Sequence, residues 1–148
     1  MSERGLEIQH SVFIRAPLEK VWAAFTTPQA LDAWWGTRGS EIDLRAGGKL
    51  TLRWRGWGPE RDINADRDCV IVEVLPPKRF VFRWGETADR MTTVEFDLEP
   101  REDGTLLRLR EHGFAPTAEG RKSFEGNSLG WGEVSILIKF WVEHGVRY

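Results

Sequence analysis

The chain is almost free of cysteine. One residue, Cys69, in 148 excludes an internal disulfide framework and suits a reducing compartment. It stands in the apolar run CVIVEVL and reads as an inert core thiol rather than a nucleophile. Long hydrophobic runs are missing too. The longest apolar stretch near the C-terminus, Ile136 to Val142, is broken by Lys139 and falls well short of the roughly 18 residues that a membrane span needs. The start has no charged region followed by an apolar one, so no secretory leader and no membrane association are expected, and the expected location is cytoplasmic. Neither sign of charge dominates: 21 Lys and Arg stand against 23 Asp and Glu, and the two are interleaved, which gives nucleic acid no basic block to bind. The glycines of Gly47-Gly48 and Gly56-Trp57-Gly58 lack the spacing and the lysine of a phosphate loop. His10, His112 and His144 are too scattered for a metal site, and no Ser, His and Asp set stands out. Neither a metal nor a cofactor is expected.

What the chain has in excess is large aromatic residues. Eight Trp and eight Phe accompany one Tyr and two Met. Each such ring buries about 150–250 Å², and a core built from rigid rings can enclose space as well as fill it. A chain of 148 residues is near the usual size of one domain, and residues 1–148 contain no repeat or linker that would divide it.

Periodicity orders the elements. Ile8, Val12 and Ile14 alternate as in a strand, with His10 on the same face. Pro17 then opens a short helix to Phe25, and Thr27-Pro28 opens a second that Gly36 ends. From there to Phe114 the period is two. Ile42 and Leu44, then Leu50, Leu52 and Trp54, then CVIVEVL, then Phe80, Phe82 and Trp84, then Val94, Phe96 and Leu98, then Leu107 and Leu109 give six further strands. The Gly56–Asp68 stretch between the second and third of these reads as a long solvated loop. Asp103-Gly104 reads as a hairpin turn in which glycine supplies a positive φ. A Gly-rich segment from Gly113 to Gly126 leads to a final helix capped by Asn127 or Ser128 and running to His144, with Trp131, Val134, Ile138 and Trp141 on one stripe. The class is therefore α+β, an antiparallel meander of about seven strands with one long helix that must cover it.

Certain stretches carry a resemblance. Ala16-Pro17-Leu18-Glu19-Lys20-Val21-Trp22, the Pro28 to Trp35 helix, the Ala46-Gly47-Gly48 turn and the run from Pro76 to Trp84 resemble members of the SRPBCC superfamily (START-like, AHSA1-type) that are related to the C-terminal domain of the activator of Hsp90 ATPase. Gly104-Thr105-Leu106-Leu107-Arg108-Leu109 and Gly130-Trp131 extend the likeness over nearly the whole chain. The resemblance implies a helix-grip fold, in which a curved sheet wraps the C-terminal helix and leaves a hydrophobic cavity between them. It spans carriers, cyclases and co-chaperone domains, so it implies the fold more narrowly than the function.

On that fold the expected ligand-binding residues are Trp35, Trp54, Phe82, Trp84, Phe96, Leu109, Glu111, Trp131 and Ile138. Glu111 is the sharpest of them. It continues the alternation of Leu107 and Leu109, so its carboxylate turns to the cavity side, where it either anchors a ligand or handles a proton, unless the strand has reached the rim, where it is solvated or paired with an arginine. Three functions follow. The first is a small cytoplasmic protein that binds a hydrophobic or aromatic small molecule. The second is a co-chaperone-like module with a chaperone as partner, although these residues leave no room for the additional N-terminal domain of the eukaryotic activator. The third is a cyclase or hydratase that uses Glu111 as general acid or base. Of the adjacent pair Trp34 and Trp35, one is expected to anchor the short helix, and Trp35 to stand at the cavity entrance.

Overall fold

The computed structural model describes residues 5–148; the first four, which bear part of the expectation about a leader, lie outside the described residues. In order the elements are β1 (Ile8–Ile14), α1 (Leu18–Thr26), α2 (Pro28–Trp34), β2 (Glu41–Ile42), β3 (Lys49–Trp57), β4 (Ile63–Leu75), β5 (Arg79–Trp84), a 3-10 turn (Ala88–Arg90), β6 (Thr92–Arg101), β7 (Gly104–His112) and α3 (Ala118–His144). All seven strands join one sheet in the order β1-β7-β6-β5-β4-β3-β2. Every neighbouring pair is antiparallel. Bulges between Trp54 and Trp57 and between Ile71 and Glu73 help to bend it.

Alternation decides which face is inside. Leu50, Leu52 and Trp54 of β3, Phe80 and Phe82 of β5, Val94, Phe96 and Leu98 of β6, and Leu107 and Leu109 of β7 are all buried, as are Trp131, Val134, Ile138 and Val142 of α3. The centre is a ring cluster: Phe25 lies 4.8 Å from Phe96, and Phe80 5.4 Å from Phe82. Burial also pushes the Cys69 thiol up to about 12, as its place in the core requires.

The two short helices meet at a proline. Thr27 precedes Pro28 and is held extended at φ −119° and ψ 136°, which ends α1, while Pro28 begins α2. The carbonyls left open at the end of α1 are taken by side chains: Thr27 Oγ1 donates to Ala23 O at 2.8 Å and Trp34 Nε1 to Ala24 O at 2.6 Å. Trp34 is thus the anchor expected of one member of the pair.

Three local expectations are corrected. The last helix starts at Ala118, nine residues before Asn127, because Thr117 caps it by accepting from Gly120 N at 3.0 Å. The supposed loop from Gly56 to Asp68 is mostly strand: β3 runs to Trp57 and β4 begins at Ile63, so only residues 58–62 turn. In the CVIVEVL strand Cys69 and Ile71 are buried, while Val70 and Val72 turn outward and are about half exposed. At the β6–β7 hairpin Gly104 is not among the positive-φ residues. It is glycine because an added Cβ would come within 2.4 Å of Ile14 O.

The outer face of the sheet carries charge. Arg79 donates to Glu73, Glu95 and Asp97, and Glu95 also accepts from Arg110 and pairs with His112. Burial alone would raise the Glu95 carboxyl, but the hydrogen bonds from Arg79 and His112 and the charges of Arg79 and Arg110 hold it below its ordinary value of 4.5. A carboxyl lowered by folding stabilises the protein fully above its unfolded value and loses that contribution as pH falls through the lower folded value. Arg79→Met should therefore cost about 1–3 kcal/mol at pH 7 and move the acid unfolding midpoint upward. Thermal unfolding followed from pH 7 to pH 3 checks this, and superimposable profiles for the two proteins would contradict it.

Candidate functional site

Between the β3–β5 end of the sheet and the first half of α3 lies a cavity of about 230 Å³, open on one side. Trp35, Trp54, Trp84 and Trp131 wall it; Ser123, Gly126, Asn127 and Gly130 roof it from α3. Its rim includes Trp57, Ile63, Arg67, Glu86 and Arg90. The indoles hold one another in place: Trp84 lies 4.9 Å from Trp131, Trp35 5.7 Å from Trp131, and Trp35 meets Trp54 edge-on at 5.2 Å. The rim is pinned from the far end of the chain. Tyr148 stacks on Trp57 at 5.1 Å and its hydroxyl accepts from Gly58 N at 2.8 Å, while Trp57 Nε1 donates to Trp35 O at 2.7 Å.

Glu111 sits behind that wall and is fully buried. Its Oε1 accepts from Trp131 Nε1 at 2.8 Å and Asn127 Nδ2 at 3.1 Å, and its Oε2 from Trp84 Nε1 at 2.9 Å and Thr92 Oγ1 at 2.5 Å. Four donors from β5, β6 and α3 converge on one carboxylate, with no arginine or lysine among them. The expectation that Glu111 turns inward holds, and neither a solvated rim nor an arginine partner accounts for it. Its oxygens are used in fixing two of the four indoles of the wall, so its work is to position the cavity.

Of the other expected ligand residues, Trp35, Trp54, Trp84 and Trp131 line the cavity. Phe82, Phe96, Leu109 and Ile138 lie in the buried hydrophobic core and not among the residues that line the cavity. Trp35 is not at the entrance. It is 4% exposed and forms part of the wall, stacked on Trp34 with ring centroids 5.0 Å apart and planes at 7°. Trp35 closes α2 in the αR region with its N–H bonded to Leu31 O, and the two adjacent indoles stack on one another at that helix end.

Sequence reasoning missed several lining residues. Ala65 and Arg67 face inward on β4 opposite Trp54 and Leu52, but they lie in the stretch read as loop. Asn127 was read as a cap, whereas it is a partner of Glu111. Thr92 gave no signal, since a threonine at a strand start is common.

The roof is built on a weak stretch of helix. Gly120, Gly126 and Gly130 occupy its first half, and glycine in a helix interior costs about 1 kcal/mol relative to alanine. An added Cβ meets nothing within 4 Å at Gly126 but would stand 1.9 Å from Ala115 O at Gly120. Gly126→Ala should therefore stabilise the protein by about 0.5–1 kcal/mol, while Gly120→Ala destabilises it. Urea unfolding of both variants reads the two signs.

A sheet that closes around one long helix and keeps a cavity between them defines a helix-grip protein of the SRPBCC kind. The chain belongs to the family described as activator of Hsp90 ATPase homolog 1-like protein, whose sequence model matches residues 15–139. Among solved structures it is similar to the Aha1 dimer of Colwellia psychrerythraea, at 22% identity and TM-score 0.78, over 95% of this chain and 98% of that one. It is also similar to MLL2253 of Mesorhizobium loti, at 23% identity and TM-score 0.74, over 90% and 94%. A third is CalU16 of Micromonospora echinospora, at 22% identity and TM-score 0.73, over 94% and 77%. At these identities the likeness establishes the fold alone. No curated protein matches the chain. Among the described residues no helix is long and apolar enough to cross a membrane.

Proposed function

We propose that the protein binds a small aromatic molecule in the cavity between the sheet and α3. The observation that supports this reading is the wall of four indoles around about 230 Å³ of space. Indole walls suit an aromatic guest, and a volume below the range of about 300–1,000 Å³ typical of drug-sized ligands points to one or two fused rings. Burial of ring area drives binding at about 25 cal/mol per Å² removed from water. The enzyme alternative rests on Glu111 as general acid or base, and both oxygens of Glu111 are engaged by donors. The chaperone-binding alternative draws on the family likeness and on no feature of this site.

Titration with one- and two-ring aromatics, read by thermal shift and by intrinsic tryptophan fluorescence, tests the proposal. A bound ligand raises the unfolding temperature by mass action and quenches the wall indoles it touches. A panel that changes neither signal at millimolar concentration would defeat it.

A further inference from the structure

Two residues that line the cavity keep N–H donors beyond those that the chain's own acceptors take up. Trp54 is 6% exposed, and its Nε1 is the buried side-chain polar atom that finds no acceptor among the described residues. A buried N–H without an acceptor costs about 1–3 kcal/mol, and the other cavity indoles avoid that cost: Trp84 and Trp131 donate to Glu111. The second group is Arg67. Its place opposite Leu52 turns it to the inner face of the sheet, and Ala65, which pairs with Trp54, is the neighbouring inward residue on the same strand. The Arg67 side chain is 23% exposed; one nitrogen donates to Asp66 O at 2.9 Å, and another forms a solvent-facing ion pair at 3.6 Å with Glu86, whose side chain is 70% exposed. A guanidinium has five N–H donors, so most of this one's are free for a guest. The charged residues lining the cavity are Arg67, Arg90 and Glu86, two cations to one anion.

We infer that the ligand carries a carboxylate, whose oxygens accept from Trp54 Nε1 and Arg67 while its ring lies among Trp35, Trp84 and Trp131. The inference rests on the proposed ligand-binding role and adds to it the polar group by which the guest is chosen and oriented. A neutral ring of the same size leaves the Trp54 N–H orphaned and adds nothing to the contacts Arg67 already has with Glu86 and Asp66 O. A carboxylate satisfies both, because the acceptor-only anion matches two donors on adjacent strands.

The test uses matched probes on the full chain: benzoate against toluene, and 2-naphthoate against 2-methylnaphthalene, with affinities taken from tryptophan quenching. The expected result is that at least one acid binds 10-fold or more tightly than its hydrocarbon, in line with about 1.5–3 kcal/mol for a hydrogen bond to a charged group. Within each of the variants Trp54→Phe and Arg67→Met, whatever their absolute affinities, acid and hydrocarbon should bind within about 3-fold of one another. Because Trp54→Phe also deletes an unsatisfied donor, it should unfold no lower than the parent chain, so loss of acid binding is separable from loss of fold. Equal binding of acid and hydrocarbon would overturn the carboxylate inference and leave the binding role standing. Acid preference that survives both substitutions would also overturn it. Failure of every probe to bind would overturn both.

Discussion

Glu111→Gln should lower the folding stability by about 2–3 kcal/mol, although the two side chains have the same shape. The carboxylate is fully buried and accepts from Trp84, Thr92, Asn127 and Trp131. Glutamine replaces one acceptor oxygen by an NH₂ group, which must face one of two pairs. Toward Trp131 and Asn127, the Asn127 amide can turn to present its oxygen, but the indole cannot accept. Toward Trp84 and Thr92, the hydroxyl can rotate to accept, but again the indole cannot. Whichever way the amide lies, one indole keeps a buried donor with no acceptor, and the charge-assisted character of the remaining bonds is lost. For a chain of this size 1 kcal/mol moves the melting temperature by roughly 2–4 °C, so a fall of about 5–10 °C is expected. Urea unfolding should show a lower midpoint at an unchanged slope. Glu111→Ala removes all four acceptor contacts and leaves a void, and should cost roughly 3–5 kcal/mol. A double-mutant cycle with Trp84→Phe separates the network from simple packing. Coupling above about 1 kcal/mol marks the network, and coupling near zero would refute the positioning role.

The difference between what was readable in the residues and what was not follows from the range of the interactions. Alternation such as Leu50, Leu52 and Trp54 is a local consequence of pleating, and Thr27-Pro28 is a local steric rule, so both strand and helix placements could be read directly. The beginning of α3 could not, because glycines 120, 126 and 130 oppose helix by propensity, and the Thr117 cap overrides them only within the folded chain. The same holds for β4. Asn64, Asp66, Arg67 and Asp68 look like solvated loop, and it is pairing with β3 that makes them strand and turns Arg67 inward. Glu111 lay between. Its direction followed from the alternation of β7, but its four donors stand at positions 84, 92, 127 and 131, and no spacing in the chain announces that they converge. Four of the nine expected ligand residues line the cavity, and all four are indoles. Large rigid rings meeting a bent sheet leave gaps between them, whereas Phe82, Phe96, Leu109 and Ile138 lie where sheet and helix are close enough to interlock.

Trp35→Ala should cost about 3–5 kcal/mol, the range for deleting a buried aromatic ring, and most of that loss should be recoverable with a small molecule. Trp35 stacks on Trp34 at 5.0 Å and touches Trp54, Trp84 and Trp131 at centroid distances of 5.2, 6.2 and 5.7 Å. Deleting it opens space continuous with a cavity that already exists, and an apolar void of this kind takes up an aromatic of matching size. Indole added at millimolar concentration should therefore raise the melting temperature of Trp35→Ala by several degrees more than that of the parent chain, by mass action on the folded state. Trp34→Ala is the control. Its ring is 1% exposed and does not line the cavity, and its Nε1 holds Ala24 O at the end of α1. That variant loses a helix-ending hydrogen bond as well as packing, and indole should restore little of its stability. Equal rescue of both variants would place Trp35 in the closed core with Trp34, and the proposed aromatic site would then lose one of its four indole walls.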